Sequence, residues 1–244
     1  MKNNKELKKY NEYTIQYKSG LSVKYRLRIP DRIEKDIKYP VIYFLHGAGG
    51  RGSDNRTQLT DAGALRAFKK NGIFSVFNSY LISAQVPAGS TWVDVAWDSP
   101  SHDMPKISET QYLSFEILKK LVANSKYQID KNRVYVLGVS MGGFGVWDII
   151  QRYPDYFAAA IPICGGGDTK KIKGIINLPI WSWHGDQDDV IPVDRSRAMQ
   201  KSIKSSGGVS SIYSEIIGRG HNVWLDVWRS KSLWEWLFLQ KRNC

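Results

Sequence analysis

The stretch VYVLGVSMGGFG, Val134 to Gly145, is the one whose reading decides the fold. Val134–Leu137 is a short continuous apolar run, and such runs suit a strand buried on both faces of a parallel sheet. It leads straight into Gly138-Val139-Ser140-Met141-Gly142-Gly143, and Gly142–Tyr153 has the pattern of a helix. The small residues flanking Ser140 permit a sharp, strained strand-to-helix turn that lifts a serine hydroxyl clear of the backbone. The helix that begins there aims free N–H groups at whatever binds above the serine. A glycine-rich helix start with a capping serine is the plainer alternative. The position between a buried strand and a helix favours a nucleophile.

Similar apolar runs lie on either side. Val41–Leu45, Tyr80–Ala84, Ala158–Ile163 and Pro179–Trp183 read as buried strands, and Ser211–Ile217 as one more. Tyr13–Tyr17 and Leu21–Ile29 read as a hairpin joined at Ser19-Gly20, with Pro30 closing the second strand. Leu113, Ile117 and Leu121, with Leu118 and Val122 beside them, form one helical stripe. Val193–Ser205 and Asn222–Gln240 are further helix patterns, the last carrying Trp224, Val227, Trp228, Leu233, Trp234 and Leu237. Strands alternating with helices predict an α/β fold, a mostly parallel central sheet with helices on both faces. Ligands then bind beyond the carboxyl ends of the strands.

Composition narrows the class. The chain has 244 residues, 42% hydrophobic and 12% aromatic, which excludes a disordered polymer. No repeat or linker divides it, so 1–244 reads as a single catalytic domain, with residues 1–10 a loose polar tail. No apolar run approaches the ~20 residues of a membrane span. Two cysteines, Cys164 and Cys244, cannot build a disulfide framework or a cysteine-based metal site. No secretory signal follows the N-terminal lysines, so a cytoplasmic location is expected as the sequence stands, with secretion or a periplasmic location the alternative if a leader was removed. The net charge of +12 raises the question of nucleic acid. Its distribution argues against that. Lys2, Lys5, Lys8 and Lys9 crowd the start, while Lys24, Arg26 and Arg28 alternate with Val23, Tyr25 and Leu27, as on a strand with a solvated basic face.

Three further strand ends carry chemistry. After Pro179–Trp183 comes His184-Gly185-Asp186-Gln187-Asp188-Asp189, three aspartates in four positions, costly to hold together without a cationic or imidazole partner. After Ser211–Ile217 comes Gly218-Arg219-Gly220-His221, whose glycines leave the backbone free to swing His221 toward the serine. His46 and His184 precede glycines at strand ends and read as loop-orienting residues, and His102 lies in a polar loop. From the residues alone Asp186, Asp188 and Asp189 all stay open as the acid. The chain order Ser…Asp…His is that of α/β-hydrolases. The fourth end, His46-Gly47-Ala48-Gly49-Gly50-Arg51-Gly52, is where a second oxyanion N–H would originate. It lacks the endings of a P-loop or a dinucleotide fingerprint.

With these motifs in place, the chain resembles the α/β-hydrolase superfamily over nearly its whole length. More narrowly it is similar to the small esterases related to dienelactone hydrolases, phospholipase/carboxylesterases, feruloyl esterases and polyhydroxybutyrate depolymerases, and to bacterial "predicted peptidases". FLHGAGGRGSDN, VYVLGVSMGGFGVWDIIQRYPDYFAAAIPICGGGD, IWSWHGDQDDVIPV and GRGHNVW carry the resemblance. It implies Asp188 as the acid, the fourth residue after the histidine in H-G-x-x-D-x-V-x-P, with Val190 and Pro192 matching. Ala48 and Met141 resemble the oxyanion-hole donors through their backbone N–H groups. The implied activity is a serine carboxylesterase with catalytic Ser140, Asp188 and His221, no cofactor and no metal.

Between the fourth run and the acid-bearing strand lies only Cys164 to Leu178, too short for a large cap domain, so an open site is expected. Cys164 reads as a small core residue, and Cys164–Asp168 as a segment beside the cleft. The longest irregular stretch, Gln85 to Ser108, carries Trp92 and Trp97, flanked by Asp94 and Asp98. Loops beyond ~12–15 residues are usually functional, and indoles stack on sugars or aromatic acyl groups. Trp92 and Trp97 are therefore the expected substrate platform, with packing against the sheet the alternative. The substrate reading is an ester, acetyl or feruloyl on plant polysaccharide. Nucleic acid and membrane are not expected partners, and the oligomeric state stays open. A serine peptidase of the prolyl-oligopeptidase type, or a catalytically silent binding module, are the competing readings.

Overall fold

The computed structural model describes residues 6–18 and 20–242. Lys2, Lys5, Ser19 and Cys244 lie outside them. Strands β1 (Tyr10–Gln16) and β2 (Ser22–Arg28) form the expected hairpin, and Gly20 adopts the left-handed φ of 90° its turn requires. Next come β3 (Tyr39–Leu45), the short helices α1 (Thr57–Thr60), α2 (Ala64–Lys70) and α3 (Ile73–Val76), and β4 (Tyr80–Gln85). The second half runs α4 (Glu109–Ala123), β5 (Ile129–Val139), α5 (Met141–Arg152), β6 (Ala159–Ile163), β7 (Ile180–Gly185), α6 (Asp194–Ser205), β8 (Ser211–Ile216), α7 (Trp224–Val227) and α8 (Lys231–Leu239).

The eight strands form one sheet in the order β1-β2-β4-β3-β5-β6-β7-β8. The β1–β2 and β2–β4 pairs are antiparallel and all others are parallel. Every residue of β3 is buried, because its alternating side chains supply two cores. Val41, Tyr43 and Leu45 join Val134 and Val136 beneath α4, α5 and α6. Ile42 and Phe44 join Tyr135 and Leu137 on the opposite face, under α2 and α8. Residues 164–179, between β6 and β7, hold only a 3₁₀ turn, Lys173–Ile175, so no large cap is inserted there. This is the α/β-hydrolase fold.

Three expectations are corrected. The polar tail is not loose over its described part: Leu7 and Tyr10 are 6% and 1% exposed, and β1 begins at Tyr10, paired to Arg28. Leu7 and Tyr10 pack into the core while Lys8 and Lys9 stay outside. The basic face of β2 is not solvated either, because the segment at Asn55 and the Phe74 ring of α3 lie over it. Arg26 and Arg28 are buried. Arg26 pairs with Glu12 at 2.6 Å and donates to the Tyr10 carbonyl. Arg28 pairs with Asp31 at 2.7 Å and lies over the Phe74 ring. Finally, the C-terminal helix is two helices. Ser230 caps α8 by accepting from Leu233 N–H at 3.2 Å, and a serine at that position starts a helix rather than continuing one.

Candidate active site

The sheet brings three sequence-distant side chains into one chain of hydrogen bonds. Ser140 sits between β5 and α5 with φ 56° and ψ −119°, a left-handed conformation a non-glycine residue adopts only under strain. Packing holds it there. Its N–H donates to Ile163 O at 2.8 Å. A Cβ on Gly142 would collide with the Leu45 carbonyl, and one on Gly143 with the Ile163 carbonyl. The glycines around the serine are thus demanded by close passage of neighbouring strands.

His221 Nε2 lies 2.9 Å from Ser140 Oγ, and His221 Nδ1 lies 2.8 Å from Asp188 Oδ2. The loop that carries His221 crosses Gly185, where any Cβ would strike the carbonyls of Arg219 and Gly220. Gln187 N–H donates to Arg219 O at 2.9 Å, and Cys164 donates its S–H to His221 O at 3.4 Å. The two loops are therefore locked to each other before any substrate is present.

Asp188 is the aspartate of the three that faces inward, its side chain fully buried. Burial alone would raise its carboxyl. Hydrogen bonds from His184, His221 and Ile191 N–H outweigh that and hold it well below the usual carboxylate range. Oδ1 accepts from the N–H groups of Val190 and Ile191, both at 2.9 Å. Asp186 instead accepts from Gly218 N–H at 2.7 Å, and Asp189 is exposed.

His184 and His46 have the loop-orienting positions read from the sequence. His184 Nε2 bonds to both Asp188 Oδ2 and Ile191 O at 3.0 Å, so that nitrogen carries the proton. Its Nδ1 meets Ser196 Oγ at 2.8 Å. His46 is fully buried, takes a bond from Val86 N–H on Nε2 and gives one to Gly47 O from Nδ1. Burial pushes its pKa down to about 4, which keeps it neutral.

Ala48 opens the 3₁₀ turn Ala48–Gly50 and Met141 opens α5. Leu45 pairs with Gly138 in the parallel register, so Ala48 and Met141 stand equal steps beyond one rung of the sheet. Among the described residues, Cys164, His184 and Asp188 place ligand-type atoms within 4.8 Å of one another. They are the acid and two side chains buried beside it. Burial pushes the Cys164 thiol up, and the Asp188 charge adds to that.

The tryptophans divide. Trp92 is fully buried, donates its indole N–H to His46 O at 3.0 Å and packs on Gly145. A ring with no exposed surface cannot stack on a substrate, so the platform expected at Trp92 is corrected to a core contact. Trp97 is half-buried on the rim of the same core. Sequence reading missed what anchors this loop. Asp168 accepts from Met104 N–H at 3.0 Å, and the buried Arg195 bonds to His102 while lying over the Phe144 ring. The cues available were an arginine following the acid loop and, 93 residues earlier, a histidine in a polar stretch. Neither has a spacing that points to the other.

A profile of the phospholipase/carboxylesterase family matches residues 33–228. The chain belongs to that family. Its motif-based resemblance is thereby borne out, together with the α/β-hydrolase fold. This family member is similar to a thermostable esterase of known crystal structure, 34% identical with a TM-score of 0.88, over 97% of this chain and 64% of that one. It shares its fold with a ferulic acid esterase structure, 17% identical, TM-score 0.68, over 94% of this chain and 99% of that one. A stretch of 102 residues, 42% of this chain and 15% of the relative, is 28% identical to the bifunctional acetylxylan esterase/xylanase XynS20E of Neocallimastix patriciarum. The chain spans 25%, 12% and 15% of the lengths of the curated relatives it matches.

Proposed function

We propose that this member of the carboxylesterase family is a serine carboxylesterase acting on acetyl or feruloyl esters carried by plant polysaccharide. The observation that carries the reading is the bond sequence from Ser140 Oγ to His221 Nε2 at 2.9 Å and from His221 Nδ1 to Asp188 Oδ2 at 2.8 Å, beginning at a strained strand-to-helix turn. In this mechanism Ser140 attacks the ester carbonyl and His221 takes its proton. The imidazolium returns that proton to the leaving alcohol. Asp188 orients the ring and stabilises its charge without taking the proton. Backbone N–H groups of Ala48 and Met141 receive the oxyanion, each donor worth about 3–4 kcal/mol. Water, deprotonated by His221, then releases the acid from the acyl-serine.

The polysaccharide part of the reading is supported by the acetylxylan esterase relative and by the short segment between β6 and β7, which inserts no large cap above the strand ends. Turnover of p-nitrophenyl acetate tests the mechanism. Ser140→Ala should lower kcat by about 10⁴–10⁶ with the melting temperature unchanged. Residual activity above a tenth of wild type would remove Ser140 as nucleophile. Aminoacyl-naphthylamides assayed in parallel should be poor substrates, and preference for them over acetyl and feruloyl esters would turn the reading to a peptidase.

A further inference from the structure

The loop that carries Ala48 is touched by a carboxylate the mechanism above does not use. Asp61 follows α1 and precedes Ala62 and Gly63, which have left-handed φ of 52° and 65°. This double turn folds the Asp61 side chain back onto the Gly47–Gly50 segment. A Cβ built on Gly49 would lie 2.6 Å from Asp61 Oδ1, and one on Gly47 would lie 2.9 Å from Oδ2. Neither glycine has a positive φ, so the carboxylate itself is what excludes a side chain there. The carboxylate thus lies against Gly47 and Gly49, the residues on either side of Ala48, while the Gly50 N–H closes the turn by donating to Gly47 O at 3.0 Å. On its other side the loop is tied by His46, which bonds Gly47 O and Val86 N–H.

We propose that Asp61 is a positioning residue for the oxyanion hole: by packing against Gly47 and Gly49 on either side of Ala48, it fixes the direction in which the Ala48 N–H points. The inference rests on the reading of Ser140 as nucleophile and Ala48 as donor. A carboxylate beside an oxyanion site would repel the developing charge if it were free. Burial raises the Asp61 carboxyl, the N–H groups of Ala62, Gly47 and Gly50 acting against that, and the contribution assigned to it is geometric, through contact with Gly47 and Gly49. Misplacement of a catalytic group by about 1 Å can cost 10²-fold.

Two variants attack the same contact from opposite sides. Asp61→Asn replaces one acceptor oxygen with a donor. Gly49→Ala leaves the backbone unstrained and collides first with Asp61, whose atoms are the three nearest to the added carbon. The readout is kcat and KM for p-nitrophenyl acetate, expressed per serine titrated with a fluorophosphonate probe. Each variant should lower kcat per titrated site by about 10–100-fold, with KM within about twofold. The double variant should lose no more than the more damaging single, because both break one contact. If Asp61→Asn does not fold, Gly49→Ala alone carries the test. A smaller titratable fraction with normal kcat per site would mean Asp61 only stabilises the fold, and would overturn the proposal, as would additive losses. An active Ser140→Ala would remove the underlying reading instead. An inert Ser140→Ala beside normal Asp61 and Gly49 variants would reject Asp61 alone.

Discussion

The ends of β5 and β7 and the long stretch from residue 86 to 108 both lie beside the candidate site, yet they hold their side chains in opposite ways. At the strand ends, each reactive residue is fixed by the sheet register and by backbone passing through glycines. Ser140 is anchored to Ile163, Asp188 to Val190 and Ile191, and the His221 loop to Gln187 and Cys164. The long stretch has no register. Its conformation comes from tertiary anchors: Trp92 on His46, Ser108 on the Trp92 carbonyl at 2.7 Å, and Met104 on Asp168. A side chain at a strand end is aimed by backbone that the sheet holds. One in an irregular loop is aimed by whatever it meets.

The sharpest way to break this contrast is at the acid. Asp188→Asn should lower kcat by roughly 10⁴, by disturbing the tautomer of His221. Asp186→Asn and Asp189→Asn should each stay within about threefold, because one meets Gly218 N–H and the other is exposed. A larger loss at either would move the acid. The same variant has a pH signature. A carboxyl held below its unfolded value of about 3.9 contributes stability that is fully present above that pH and is lost as pH falls toward the folded value. Acid-unfolding curves recorded by circular dichroism should therefore be shallower for Asp188→Asn than for the wild type.

Next comes the tryptophan pair, which tests whether the loop's two indoles differ as their burial does. Trp92→Ala removes a fully buried ring and should cost about 3–5 kcal/mol of stability, a fall in melting temperature of roughly 6–20 °C, with small and bulky esters affected alike. Trp97→Ala should raise KM about 3–10-fold for feruloyl or polysaccharide esters and leave p-nitrophenyl acetate unchanged. Equal losses on both esters at Trp97 would make it a core residue as well. The smallest effect expected is none: EDTA should leave ester turnover unaltered, since the proposed chemistry needs only side chains and backbone donors. Loss of activity restored by a divalent ion would overturn that mechanism.

Legibility followed the same division. Strands β3 to β7 were readable to within a few residues at most ends because continuous apolar runs require burial on both faces, whereas β8 was placed as a strand but, at the sheet edge, has no buried residue. The exception was β5, which begins five residues ahead of its apolar run, at Ile129. Ser140 and His221 were readable as strand-end residues next to glycines. The short helices α1, α2 and α3 were not read, since pieces of four to seven residues separated by left-handed Gly63 and Gly72 leave too little periodicity. Arg26 and Arg28 were misread as solvated because alternation marks a face of a strand without saying what covers it.

By itself the sequence determined the strands, their two apolar faces and the order of Ser140, an aspartate among residues 186–189, and His221, because those depend on periodicity and on residues adjacent in the chain. The tertiary structure decided which of three aspartates turns inward, that Trp92 is core, and that the Asp61 carboxylate lies against Gly47 and Gly49. Each of those is a contact between segments whose approach is set by the packing of the whole sheet, and no local pattern encodes it.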